Sequence, residues 1–290
     1  MSIVAEYETA PGASRPRAVI PKGACDTHSH VFGGPGQYLL AQPSVYALPT
    51  SPPSRHAEIR RQLGVDRGVL TQPAPFGTDP TAMIDTIAQS NGSLKGVAVA
   101  DAVTEQETLH QWRAYGIVGL RFTEMLTPTG ARYPGSVGLD ALATLAPAMR
   151  AAGLHAQLWA PIATIALSLP MLVATGLPIV FDHMGCPDAA KGPNDPDFID
   201  LLAALRSENF FVKLTVCRLS SDYALVRRFH DRLVETAPDR LFWGSDWPYV
   251  RMAPAPDAGT LLDLFCDWIP DAAMRHRILV DSPGRFYGFE

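Results

Sequence analysis

Eight short apolar runs punctuate the chain at 24–32, 67–72, 94–100, 118–123, 154–159, 178–183, 210–216 and 241–246, each of strand length. Helix-like segments lie near 54–64, 79–90, 105–115, 139–152, 162–175, 197–208, 221–236 and 257–269, several opened by Asp, Thr or Ser as N-cap candidates. Eight strands alternating with eight helices predict an α/β protein folded as a (β/α)8 barrel, because an open doubly wound sheet normally uses fewer strands. No G-x-G-x-x-G or Walker-type loop follows the first run, which lowers the nucleotide-binding alternative. The barrel is expected to occupy residues 23–290 as one domain, with residues 1–22 as an arm or frayed tail. A Gly/Pro-rich stretch without periodicity, 33–53, is the kind of long loop that is usually functional or a lid.

The polar residues that interrupt this pattern gather at the ends of the runs, where such barrels carry their chemistry. His28 and His30 end the first run, Gln72 the second, Arg121 lies on the fourth, His183 ends the sixth, Arg218 follows the seventh and Asp246 ends the eighth. They are expected to converge. Asp26, His28 and His30 occupy alternate positions, so their side chains share one face of an extended chain. Two imidazoles there can hold a metal, orient a water or polarise a carbonyl; a chance pair on an edge strand would do none of these. Asp246 stands among aromatic residues in Trp243-Gly244-Ser245-Asp246-Trp247-Pro248. Burial disfavours its charge and a nearby cation favours it, so its pKa can be set for general-base work; its other natural role is capping the next turn. An arginine inside a barrel mouth needs an anion, and its fork suits a carboxylate. Arg121 and Arg218 therefore hint at an acidic substrate, or else at salt bridges to neighbours such as Glu124.

Other positions receive plainer readings. Asp182 should face away from His183 and so not orient it. His56, His110, His230 and His276 fall in helical segments and are expected at the surface, while His155 should point inward low in the fifth strand. Cys186 and Cys217 adjoin the site without an activating base, and no Ser sits in G-x-S-x-G, which argues against thiol and serine-esterase routes.

Composition narrows the partner. With 290 residues, 47% hydrophobic, the chain can bury a large core. A net charge of −5 without a Lys/Arg cluster argues against nucleic acid and against an anionic membrane surface, leaving a small molecule. Four scattered cysteines, Cys25, Cys186, Cys217 and Cys266, read as reduced thiols, and residues 1–22 lack an apolar signal stretch, so a cytoplasmic location is expected. The longest apolar stretch, 162–181, is interrupted by Pro170, Gly176 and Pro178 and reads as a helix followed by a strand.

Several motifs together resemble the amidohydrolase superfamily: Asp26-Thr27-His28-Ser29-His30-Val31-Phe32, Leu154-His155-Ala156-Gln157-Leu158-Trp159, Phe181-Asp182-His183-Met184-Gly185, Trp243-Gly244-Ser245-Asp246-Trp247-Pro248 and Ser282-Pro283-Gly284-Arg285-Phe286-Tyr287-Gly288-Phe289. The likeness runs from about residue 22 to the C-terminus and is strongest to the branch of 2-pyrone-4,6-dicarboxylate and sugar-acid lactonases. It implies a barrel that hydrolyses a small carboxylated lactone, from aromatic or sugar-acid breakdown. By this resemblance Asp246 takes the proton from the attacking water, and His28, His30 and His183 polarise the lactone carbonyl and stabilise the oxyanion. Arg121 and Arg218 would hold a substrate carboxylate, with Tyr46, Trp159 and Gln72 around it. The fifth strand offers only Gln157 and Trp159 where many relatives place a metal-binding or bridging residue, so a binuclear centre is not expected. No metal is expected to be required, although His28, His30, His183 and Asp246 could assemble a single Zn²⁺ site. The dicarboxylate branch implies a further arginine where this chain has Thr127, and small hydroxyl residues at Gln72 and Ala74; Arg132 or Tyr133 on the following loop is the candidate to compensate. The alternatives are a zinc-dependent amidohydrolase or decarboxylase, a lactone isomerase, and a barrel that binds an acidic metabolite without turnover.

Overall fold

The computed structural model describes residues 6–207 and 209–289, so the first five residues of the expected arm, together with 208 and 290, lie outside it. Among the described residues, eight strands form one sheet: β1 Cys25–Ser29, β2 Arg67–Thr71, β3 Leu94–Ala98, β4 Ile117–Thr123, β5 His155–Trp159, β6 Ile179–Phe181, β7 Phe210–Leu214 and β8 Leu241–Trp243. Each strand pairs in parallel with the next, and the order β8-β7-β6-β5-β4-β3-β2-β1 follows the sequence. The edges then meet. Ser29 bridges Trp247, the His30 N–H donates to the Trp247 carbonyl at 2.9 Å, and the Asp246 N–H donates to the His28 carbonyl at 2.8 Å. Gly244 permits this seam, because a Cβ there would lie 2.7 Å from the His28 Cβ. The sheet is a closed (β/α)8 barrel, as the alternation implies.

The helices between the strands are α1 Pro53–Leu63, α2 Thr81–Ala88, α3 Gln106–Ala114, α4 Leu142–Ala151, α5 Ile162–Ala174, α6 Pro196–Ala204, α7 Tyr223–Thr236 and α8 Ala258–Trp268. In α7, Val226, Phe229, His230 and Leu233 recur at helical spacing and are buried, and Asp222 caps the first turn by accepting from the Ala224 and Leu225 N–H groups. The apolar stretch 162–181 divides into α5 and β6, and no helix among the described residues is long and apolar enough to cross a membrane. A terminal helix, Ser282–Tyr287, plugs the bottom of the barrel: Phe286 and Tyr287 pack on Cys25, Val69, Val180 and Phe242. That seal leaves the opposite, C-terminal mouth as the open end.

The described part of the arm is docked. Tyr7–Thr9 pairs in parallel with Leu48–Thr50 inside the long loop, the Ser14 N–H donates to Asp257 at 2.7 Å, and the Trp247 indole donates to the Pro11 carbonyl at 2.9 Å.

Two surface expectations for histidines are corrected. His110 is exposed and His276 half-exposed, but His56 and His230 are buried. Both lie on the apolar stripe of their helix, His56 with Ile59 and Leu63. His155 does point inward low in β5, where Gly119 makes room for its ring.

These three rings make stability depend on pH. Burial keeps His56 and His155 neutral down to about 3, and lowers His230 as well. The unfolded rings protonate near 6.5, so below that pH the unfolded chain binds more protons. The contribution is fully present above 6.5 and is lost as pH falls toward 3. Asp26, raised to about 6 by burial, opposes this between 3.8 and 6. Lowering the pH from ~7.5 to ~5 is expected to cost roughly 1–2 kcal/mol for each of His56 and His155, with His230 acting in the same direction. A melting temperature that stays level over that range would refute it.

Candidate active site

The strand ends converge at the mouth. Below them, Asp26 accepts from the Ser245 N–H at 2.9 Å, from the Ser245 hydroxyl at 2.5 Å and from the His28 N–H at 3.1 Å, tying β1 to the end of β8. Above it, His28 and His30 sit edge to face with ring centroids 5.1 Å apart. The His30 Nδ1 lies 2.7 Å from the Thr71 carbonyl. A carbonyl only accepts, so Nδ1 carries the proton and a neutral His30 presents a lone pair at Nε2. That nitrogen is 3.6 Å from Asp246 Oδ1, and His28 Nε2, which has no hydrogen-bond partner, is 3.5 Å from the same oxygen.

Asp246 follows β8 on a left-handed backbone, φ 63°. Its other oxygen meets the Arg218 guanidinium, which also donates to the Val250 carbonyl at 2.9 Å. Burial alone would raise this carboxyl, but Arg218 foremost, with the surrounding histidines, holds it well below the ordinary carboxylate range. Asp246 is ionised at neutral pH and faces two imidazoles. His183, after β6, lines the same pocket and is kept neutral by burial, its pKa lowered to about 4.

Asp182 corrects the expected phase of β6. Val180 packs inside the barrel bottom, so two residues on Asp182 also faces inward, while His183 reaches the pocket by taking a left-handed conformation, φ 49°. Asp182 becomes a hub. It accepts from Arg121 Nη2 at 3.1 Å and Nε at 3.2 Å and from Gln157 Nε2 at 3.2 Å, and it lies 3.2 Å from His28 Nδ1. Burial would raise its pKa, yet His28, Arg121 and Lys213 hold it well below the usual range. Asp182, not a residue of β1, is thus the partner that orients His28.

Lys213 belongs to the same cluster, although the sequence pattern does not place it there. It is fully buried in β7, donates to Gln157 Oε1 at 2.6 Å, and lies 3.4 Å from His28 Nδ1 and 3.7 Å from Asp182 Oδ1. Burial lowers its pKa to about 8 against the pull of Asp182. Its signal was present: a single cation in the apolar run Phe210–Leu214 must meet an anion.

The remaining predicted residues separate. Tyr46, on the long loop, and Trp159, ending β5, line the pocket with His30, Arg121, His183, Arg218 and Asp246. Gln72 does not reach its wall. Its amide donates to the Gly77 and Asp79 carbonyls and accepts from the Val99 N–H, a wholly structural use. Tyr133 and Ala74 do line the pocket, whereas Arg132 is turned to Glu124 and Asp140. Arg121 pairs with Asp182, not with Glu124. Burial raises the Cys186 thiol to about 12 and raises Cys217 also, so neither is a thiolate at neutral pH.

Among the described residues, two sets of ligand atoms are close enough to share an ion: His28, His30 and Asp246, and His28, Asp182 and His183. The first set fits one divalent cation, because two Nε2 lone pairs and a carboxylate oxygen converge. In the second, Arg121 and Gln157 engage Asp182 Oδ2, and Oδ1 faces the buried Lys213 ammonium at 3.7 Å, a charge that opposes a cation there.

The profile of the amidohydrolase family matches residues 25–289. A 4-sulfomuconolactone hydrolase of Rhizobium radiobacter is 34% identical, covering 93% of this chain and 91% of that protein. A 2-pyrone-4,6-dicarboxylate hydrolase of Comamonas testosteroni is 31% identical, covering 98% of each. The structure is similar to that of a probable 2-pyrone-4,6-dicarboxylic acid hydrolase of Acinetobacter baumannii with citric acid bound, with a TM-score of 0.81 and 26% identity over 92% of this chain and 100% of that one.

Proposed function

Because the chain belongs to the amidohydrolase family, we propose that it is a lactonase: it opens a small lactone carrying a carboxylate or similar anionic group by attack of water. The observation that carries this reading is one oxygen of an ionised, buried carboxylate, Asp246, set 3.5 and 3.6 Å from two imidazole Nε2 atoms in an open pocket. Relatives over nearly the full length hydrolyse lactones by name.

Hydrogen-bond direction divides the histidines. His28 and His30 turn Nε2 toward Asp246, so one O–H of a water donates to the carboxylate and the other to one imidazole Nε2, which aims the water oxygen at the lactone carbonyl. His183, neutral at working pH, donates a ring N–H to the carbonyl oxygen as negative charge develops there. Asp246 takes the proton as the water oxygen bonds to carbon. When the ring C–O bond breaks, that proton passes to the departing ring oxygen, leaving a hydroxyl group and a carboxylic acid that releases its proton to solvent as a carboxylate. Trp159 and Tyr46 close the sides of the pocket. A divalent cation, where bound, would be held by His28, His30 and Asp246 and would supply Lewis-acid polarisation.

Hydrolysis of a panel of lactones, with and without an anionic substituent, tests the reading before and after chelation, with products identified by NMR. Ring-opened hydroxy acids formed equally after chelation are expected. A rearranged lactone as product would replace hydrolysis by isomerisation. Activity that returns only with added Zn²⁺ would make the cation set essential, and no turnover on any lactone would sink the proposal.

A further inference from the structure

The cations that line the pocket are not equally free. Arg121 is bound by Asp182 through two nitrogens, and Arg218 is bound by Asp246 and the Val250 carbonyl. Both were expected to grip the substrate, yet each is neutralised by a carboxylate that the pocket itself supplies. Arg251 also lines the pocket and is exposed, and it has no carboxylate partner among the described residues.

Arg251 is nevertheless held in place. Its guanidinium lies 5.2 Å from the centre of the Tyr133 ring, Tyr133 packs 5.5 Å from Trp159, and Trp159 carries Arg121 at 5.0 Å. Its backbone takes a left-handed conformation, φ 64°, as do Tyr249 and Asp246, so the segment after β8 is bent in a way non-glycine residues seldom adopt. Arg218 pins this bend through the Val250 carbonyl. Desolvation raises the Tyr46 hydroxyl, while Arg121, Arg218 and Arg251 all oppose that shift, which places this phenol among the three guanidiniums.

We propose that Arg251 is the specificity residue that binds the substrate's anionic substituent, a carboxylate or sulfonate borne on the lactone ring. This deepens the lactonase reading and rests on it. The substrate then spans the pocket, its carbonyl at Asp246 and its anion at the rim on Arg251, beside the Tyr46 hydroxyl. Arg121 and Arg218 serve mainly to keep Asp182 and Asp246 ionised.

The test compares Arg251→Gln and Arg251→Lys with the unaltered enzyme, using an anionic lactone, its neutral methyl ester, and citrate as a non-reacting polycarboxylate followed by calorimetry. The residue is exposed, so both variants should melt with the parent. For Arg251→Gln, KM for the anionic lactone should rise about 10- to 100-fold, as for loss of a charged hydrogen bond, while kcat changes less than ~3-fold and the ester is unaffected. Citrate affinity should fall about tenfold, and Arg251→Lys should recover part of both losses. Unchanged KM and unchanged citrate affinity in Arg251→Gln would overturn the proposal and leave the lactonase reading intact. If the unaltered enzyme opens no lactone, that reading fails, and citrate binding still decides whether Arg251 receives an anion. Weakened binding would retain the anion site, whereas equal or absent binding would remove it.

Discussion

Asp246→Asn is expected to lower kcat for lactone opening by at least about 10³-fold while leaving the fold in place. The amide fits the same space but cannot take a proton at neutral pH, so the loss includes the general-base contribution, typically about 10²- to 10⁴-fold. It also removes the counter-charge of Arg218, which meets the carboxylate directly. The freed guanidinium is 22% exposed and keeps its bond to the Val250 carbonyl, so water can screen it and the thermal midpoint should move by only a few degrees. Single-turnover kinetics beside thermal melting separate the two effects. Retention of more than a tenth of parental kcat in a normally folded variant would eliminate Asp246 as the base.

The second large effect is on stability. Asp182→Ala is expected to destabilise the protein by about 3–5 kcal/mol, the usual cost of breaking a buried ionic cluster from one side. Asp182 is fully buried, is the counter-ion of Arg121 and Lys213, lies 3.2 Å from His28 Nδ1, and accepts from Gln157. Its removal leaves the Arg121 and Lys213 charges without their buried counter-ion. Denaturant unfolding measures the loss, and Lys213→Met placed on Asp182→Ala should recover part of it, since it withdraws one stranded charge. A midpoint within ~1 kcal/mol of the parent would show that the cluster is readily solvated.

Much of this architecture was legible along the chain. Apolar runs of strand length alternating with helical segments suffice for a barrel, because period and length are local properties. The alternate placing of Asp26, His28 and His30 was equally readable: a strand of period two sends His28 and His30 to one face, and both reach Asp246. That Asp246 and His183 meet at one pocket follows from their places at strand ends, which converge at the barrel mouth. The burial of His56 and His230 is also a local signal, since each sits on the apolar stripe of its helix, which outweighs the polarity of the ring.

Other features were decided by tertiary structure. β6 stops at Phe181 and the chain turns left-handed at His183, so strand alternation no longer applies and both Asp182 and His183 reach the interior. Lys213 stands out in its apolar run, but its place between Gln157 and Asp182 depends on β5, β6 and β7 being neighbours. Gln72 was sent to the site by its position at a strand end, whereas the local fold of 77–79 and 99 consumed its amide. Arg121 and Arg218 were recognisable as anion binders, yet which anion each meets follows from packing across the barrel. The sequence by itself determined which residue types stand at which strand ends, because hydrophobic periodicity is written in neighbouring positions. Only the closed barrel decided the pairing of charges, because in a buried site each carboxylate and guanidinium must find its partner among residues dozens or hundreds of positions away.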